Sequence, residues 1–333
     1  PLPAVNVEAA SLYAHRYLDC FPGRPLAGMR VGFYEHSSLA REALRDILEG
    51  LGATVLSLGR TDEFVPIDTE AVAQEDFERA RAWAADVGFD AIVSTDGDAD
   101  RPLIGDENGA WLRGDVVGIL CAGFLGADAV ATPVSSNTAL ERCGRFARVA
   151  RTRIGSPYVI AGMEALSAAG AKLVVGYEAN GGFLVGSDIA LGEGVLRPLP
   201  TRDAVLPIVV LLNMARSRGV PVSRLAGDLP PRFTASDRLR EIPVETSRER
   251  LARLAASTEA RAGLLNDICG EVIAQDETDG LRWTCGNGEI VHLRPSGNAP
   301  ELRCYAEADS QARAESLAGQ CLARFGELAE GRR

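Results

Sequence analysis

The chain is 333 residues long, 46% of them hydrophobic and 24% charged, with a formal net charge of −11. This is a globular composition, long enough for two or three domains, and the acidic balance speaks against a nucleic-acid-binding surface. No apolar run nears the roughly 20 residues of a membrane-spanning helix, and no signal peptide is visible, so no membrane partner is expected. Seven cysteines (Cys20, Cys121, Cys143, Cys269, Cys285, Cys304 and Cys321) are scattered, with no Cys-x-x-Cys pair. They read as reduced, mostly buried thiols of a cytoplasmic protein.

In chain order, helical spacing over residues 5–19 is followed by a Pro-containing loop and a strand over 29–34. Ser37 or Ser38 can cap a helix over 39–51 that ends at Gly52, and 54–58 is the next strand. This strand–helix–strand unit builds mixed or parallel sheets. His36, at the end of the first strand, reads as a cap or packing group. A helix over 74–87 precedes the apolar run 89–93. Beyond it, 103–105 and 111–112 bracket Asn108-Gly109 as a hairpin.

A second strand–helix rhythm follows. Asp115 is placed to cap a helix over 116–125. Strands are expected over 129–133, 147–152 and 172–177. Helices are expected over 137–145 and 159–169, with a loop over 154–158. Thr201-Arg202-Asp203 is expected to start the apolar helix over 204–216. Leu229-Pro230-Pro231 marks a linker. After it come a charged helix over 248–262, four β-like runs (271–274, 281–285, 289–294 and 303–306) and a helix over 310–327. The expected architecture is α/β: two consecutive mixed-sheet α/β/α domains, 1–112 and 113–228, then a smaller α+β domain, 229–333.

Three loops carry chemistry. Asp96, Asp98 and Asp100 alternate on the loop after the run 89–93, with small residues between them and Arg101 next. Alternate carboxylates can turn several oxygens onto one point, which suits Mg²⁺ or Mn²⁺ in the absence of nearby His or Cys. A plain Asx turn competes with this reading. An EF-hand does not, because Arg101 stands where the sharp turn needs Gly and a strand precedes the loop. Glu178, Asn180 and Gly181 form a second loop at a strand end, placing a carboxylate and an amide where sugar hydroxyls could be held. Arg294, Ser296, Gly297 and Asn298 form a third, with the donors and small residues of an anion-binding turn.

In this order the loops resemble those of the α-D-phosphohexomutases, the phosphomannomutase/phosphoglucomutase family. Its metal loop, Asp-Gly-Asp-Ala/Gly-Asp-Arg, is matched throughout by Asp96 to Arg101. Its sugar loop, Gly-Glu-x-Ser-Gly-His, is matched at Glu178 and Gly181, with Asn180 in place of Ser and Gly182 in place of His. Its phosphate loop, Arg-x-Ser-Gly/Asn-Thr-x-Pro, is matched at Arg294, Ser296, Gly297 and Pro300, with Asn298 in place of Thr. Pro157 stands where the family carries Lys or Arg after Val-Gly-x.

The resemblance implies interconversion of hexose 1-phosphate and hexose 6-phosphate through a phosphoserine and a hexose bisphosphate. Asp96, Asp98 and Asp100 would hold Mg²⁺, and Arg101 would act in catalysis by steadying the phosphoserine. Glu178, Asn180 and Gly181 would bind sugar, and Arg294, Ser296, Gly297 and Asn298 the other phosphate. The protein would be a monomer or homodimer. The family's Thr-Ala-Ser-His-Asn-Pro serine loop has no counterpart here. Thr234-Ala235-Ser236 lacks the His-Asn-Pro that follows, so Ser236 reads as a helix cap or turn residue, and the serine is expected on a first domain outside these residues. The alternatives are a non-catalytic phosphosugar-binding protein and a Mg²⁺-dependent phosphatase using Asp96 as nucleophile.

Overall fold

The computed structural model describes residues 4, 6–192, 194–297 and 299–329. The chain begins with α1 (Val7–Leu18), β1 (Arg30–Tyr34), α2 (Arg41–Gly50), β2 (Thr54–Leu58), α3 (Gln74–Val87), β3 (Ala91–Thr95) and β4 (Pro102–Gly105). It continues with α4 (Gly114–Phe124), β5 (Ala129–Pro133), α5 (Ala139–Arg142), β6 (Arg148–Thr152), α6 (Ser156–Ala168) and β7 (Val174–Tyr177). Four short strands follow, β8 (Phe183–Val185), β9 (Ile189–Leu191), β10 (Gly194–Leu196) and β11 (Leu199–Asp203), and then α7 (Val205–Arg218). The last part holds β12 (Phe233–Arg240), α8 (Val244–Ala256), α9 (Thr258–Cys269), β13 (Val272–Asp276), β14 (Leu281–Cys285), β15 (Ile290–Pro295), β16 (Glu301–Ala308) and α10 (Gln311–Ala329).

The first sheet has the order β2-β1-β3-β4. β1 pairs in parallel with β2 and β3, and β4 returns antiparallel to β3. Every residue of β3 is buried, as expected of a strand covered on both faces. The second sheet, β11-β8-β7-β5-β6, is also mixed: β5 and β7 run parallel, and β8 antiparallel to β7. α7 is apolar on every side and buried throughout residues 205–212. The third sheet, β12-β16-β15-β14-β13, is antiparallel wherever strands pair. Its strand β14 alternates, with Leu281, Trp283 and Cys285 facing a core that includes Leu265 and Phe325.

The backbone divides into two compact units. One comprises residues 1–132, 144–150 and 155–228; the other comprises 133–143, 151–154 and 229–333. The short stretches of the second unit are bound into it by polar contacts. Asn137 Nδ2 donates to the Arg232 carbonyl at 2.7 Å, Thr138 donates its N–H to Glu307 at 3.0 Å, and Glu307 ion-pairs with Arg232.

Several local expectations are corrected. Neither Ser37 nor Ser38 is the N-cap of α2. That residue is Ala40, and the Ser38 hydroxyl is engaged with Thr95 Oγ1 at 2.6 Å. Asp115 lies inside the first turn of α4, whose N-cap is Arg113. α6 starts at Ser156 because Pro157 suits a helical first turn, where no N–H is required. The run 248–262 is two helices, broken where the extended Ser257 caps α9 by accepting from Ala260 N at 3.1 Å. Ser236 is neither a cap nor a turn residue: it sits inside β12, opposite Tyr305 of β16. Cys269 and Cys285 form a disulfide, with Cα atoms 6.1 Å apart, because α9 ends and β14 ends over the same core.

Candidate metal and sugar-binding site

The three aspartates meet because the chain reverses sharply after β3. Ala99 takes a left-handed conformation (φ +63°). Asp96 Oδ1 accepts the N–H groups of Asp100 and Arg101, both at 3.1 Å, so this carboxylate ties the loop to itself. Carboxylate oxygens of Asp96, Asp98 and Asp100 all lie within 4.8 Å of one another. Asp96 is buried, Asp100 half-buried and Asp98 exposed, so the cluster opens toward solvent on one side.

Burial pushes the Asp96 carboxyl up to about 6; the Asp100 and Asp98 charges add to the rise and the Arg101 N–H opposes it. Arg101 Nε lies 3.5 Å from Asp96 and 3.4 Å from Asp100. Asp100 Oδ1 is buried and accepts no hydrogen bond among the described residues. A cluster of hard oxygen donors, with Asp100 Oδ1 buried, without a hydrogen bond among the described residues and 3.4 Å from Arg101 Nε, fits a divalent cation of the Mg²⁺ class.

The loop after β7 stands against the loop after β3. Gly181 (φ +89°) packs on Pro102: a Cβ there would come within 3.1 Å of the proline ring. A Cβ on Gly114 would overlap backbone atoms of Ala179, Asn180 and Gly181, so the start of α4 must be glycine for this loop to settle. Thr69 Oγ1 donates to the Asn180 carbonyl at 2.7 Å. Within the loop, Gly181 N donates to the Glu178 carbonyl and Gly182 N to Asn180 Oδ1. The Asn180 amide oxygen is thus already an acceptor inside the protein.

Glu178 is buried, and burial raises its carboxyl while Arg202 opposes the rise. Arg202 joins the two loops: its guanidinium ion-pairs with Asp100 Oδ2 on one side and reaches Glu178 Oε2 at 3.3 Å on the other. Arg202 is held by its neighbour. Asp203 accepts hydrogen bonds from the Tyr13 and Tyr17 hydroxyls at 3.1 and 2.6 Å, and from the first N–H groups of α7.

The third loop belongs to the other compact unit. Arg294 donates from Nε to Asp279 Oδ1 at 2.9 Å, and Asp279 Oδ2 accepts the Ile154 N–H at 2.9 Å. Ser296 is buried and donates its N–H to the Glu301 carbonyl at 2.8 Å. Arg294, Ser296 and Gly297 line a cavity of about 390 Å³ together with Arg153 and Arg248. Asn298 lies outside the described residues.

Three domain models of one family cover most of the chain: "Phosphoglucomutase/phosphomannomutase, alpha/beta/alpha domain II" over residues 14–109, its domain III over 113–233 and its C-terminal domain over 241–323. The chain belongs to the phosphoglucomutase/phosphomannomutase family. A phosphomannomutase of Salmonella muenchen is 50% identical over 307 residues, which are 92% of this chain and 64% of that relative. A phosphomannomutase of Sinorhizobium fredii is 46% identical over 316 residues, 95% of this chain and 66% of the relative. The chain therefore spans just under two thirds of the length of those curated relatives. A solved phosphoglucomutase/phosphomannomutase family protein of Burkholderia thailandensis superposes with a TM-score of 0.70 at 18% identity, covering 97% of this chain and 65% of that one. At that identity the likeness is one of fold.

Relative to the family pattern, sequence reasoning missed Arg202, Arg153 and Arg248. Arg153 stands before Ile154-Gly155, on the other side of the glycine from the place where the family motif puts its cation. Arg202 had a signal: Gly182, where the motif has histidine, leaves a space that another side chain must fill.

Proposed function

We propose that the protein transfers a phosphoryl group between the 1- and 6-positions of a hexose phosphate, through a phosphoserine on residues outside these 333 and a hexose bisphosphate. The observation that carries this reading is the joining of the carboxylate cluster to the sugar loop by one arginine. Asp96, Asp98 and Asp100 would hold Mg²⁺, which when bound neutralises charge as the phosphoryl group moves. Arg101, beside the cluster, steadies the phosphoserine. Glu178 receives sugar hydroxyls at its carboxylate, with Asn180 and Gly181 shaping the loop that presents it. Arg294, Ser296, Gly297 and Asn298 grip the phosphate that is not transferred, and Arg153 and Arg248 add positive charge to that cavity. This remote grip supplies orientation. Ser236 takes no part, being a strand residue in the middle of a ladder. The protein acts in the cytoplasm.

The test is conversion of mannose 1-phosphate and glucose 1-phosphate to their 6-phosphates by the protein with its full N-terminal sequence, followed by ³¹P NMR with Mg²⁺ and a bisphosphate activator. Turnover is expected, with Asp98→Asn lowering it by at least about a hundredfold. Tight hexose phosphate binding without turnover would instead support a non-catalytic binding protein.

A further inference from the structure

We infer that Arg202 is a positioning residue that locks the metal loop to the sugar loop, in the space the family motif gives to a histidine side chain. The inference deepens the reading above and rests on it for the identity of the ligands.

Two independent observations meet at this residue. The first is the pair of carboxylates it spans, Asp100 of one loop and Glu178 of the other. Its contact with Asp100 is to Oδ2. The other oxygen, Oδ1, accepts no hydrogen bond among the described residues. Oδ1 also lies 3.4 Å from Arg101 Nε, so Arg202 on Oδ2 and Arg101 on Oδ1 together fix the rotation of the Asp100 carboxylate beside the cluster. An outer partner that orients a metal-binding carboxylate is a recurring need of such sites.

The second observation concerns Gly182. A Cβ built there would lie 2.7 Å from Cδ and 2.9 Å from Cγ of Arg202, so the aliphatic stem of the arginine occupies that space. Gly182 has no positive φ among the glycines that require one, so backbone conformation does not explain the glycine. It is small because the arginine lies over it. A planar, permanently charged fork then replaces a titratable ring, and its two terminal nitrogens reach carboxylates on different loops at once.

The experiment is a double-mutant cycle on the 333-residue chain, with Mn²⁺ affinity measured by calorimetry and folding followed by melting. Arg202→Met keeps the stem's bulk and removes the fork; it should weaken Mn²⁺ binding about tenfold. Gly182→Ala should displace the stem and give a similar loss. The Gly182→Ala/Arg202→Ala double variant should bind no worse than Arg202→Ala alone, since the clash is gone. Arg202→Lys, which keeps the charge but not the fork, should recover only part of the affinity, and it serves if Arg202→Met fails to fold. In the protein with its full N-terminal sequence, Arg202→Met should lower kcat more than it raises KM for the hexose phosphate.

Tighter Mn²⁺ binding in Arg202→Met would be the bare effect of removing a cation beside carboxylates, and would overturn the inference. Additive losses in the cycle would overturn it too. If the wild-type protein turns over no hexose phosphate while the cycle remains non-additive, the mutase reading falls and the coupling by Arg202 stands.

Discussion

A single imidazole illustrates what a residue can cost when its environment leaves one atom without a partner. His292 Nε2 contacts the Asp279 carbonyl at 2.5 Å, so this nitrogen carries the proton. Nδ1 is then buried with no hydrogen-bond partner among the described residues. Protonating it would bury an unpaired cation, and burial lowers the group from 6.5 to about 4, with the nearby Arg282 charge contributing. The unfolded chain takes up this proton below about pH 6.5, and the native chain refuses it until about pH 4. The native state therefore loses stability as the pH falls through that window, and the loss stops below it. Urea unfolding at pH 7 and pH 4.5 should differ by on the order of 2 kcal/mol through this group alone. His292→Gln should flatten that part of the profile. An unchanged acid limb in the variant would show that other groups govern it.

At the scale of elements, local chemistry made some features readable and hid others. The carboxylate cluster after β3 is legible because Asp96, Asp98, Asp100 and Arg101 are sequence neighbours, so their convergence needs only one turn. Strands such as β1, β3 and β7 are legible because both faces are covered, which forces unbroken apolar runs. β12 is not, since among the described residues it lies at the end of its sheet, paired with β16, and carries Asp237, Arg238 and Arg240 like many exposed edges. β8, β9 and β10, three residues each, are too short for a period to register; β11 was missed because its polar Thr201-Arg202-Asp203 reads as a helix start, whereas the structure makes these residues the end of a strand and begins α7 at Val205. Arg202 was hidden for a different reason: its partners Asp100 and Glu178 lie on other elements, and only the fold brings them to it. The meeting of α4 with the sugar loop is likewise tertiary, and it gives a direct test. Gly114→Ala places a methyl group against the backbone of residues 179–181, which has no flexible end to move aside. Overpacking of this kind costs about 1–3 kcal/mol. Thermal melting should show that loss, and Mn²⁺ affinity should fall with it, because the displaced loop carries Glu178, the anchor of Arg202. A melt equal to wild type would mean that the loop has room to retreat.

At the scale of the molecule, the two compact units respond to different reagents. Asp96, Asp98 and Asp100 lie in one, and the Cys269–Cys285 disulfide lies in the other. Calorimetry should resolve two transitions. A divalent cation at about a hundred times its dissociation constant should raise one by about 2.7 kcal/mol. A reductant should lower the other by about 3 kcal/mol, the value for closing a loop of this size. A single transition moved equally by both reagents would show that the units melt as one.

The path of the backbone between these units bears on how the gene can be divided. Residues 133–143 and 151–154 leave the unit in which their neighbours in sequence fold and are built into the other, where Asn137 and Thr138 meet Arg232 and Glu307. Scissors applied at the proline-rich stretch near Leu229 would thus orphan both products: the upstream piece would keep two stretches stripped of their anchors, and the downstream piece would expose the seats they vacate. Someone seeking a minimal fragment of the downstream unit would need to splice these stretches back in, as a permuted or bridged chain, rather than trim.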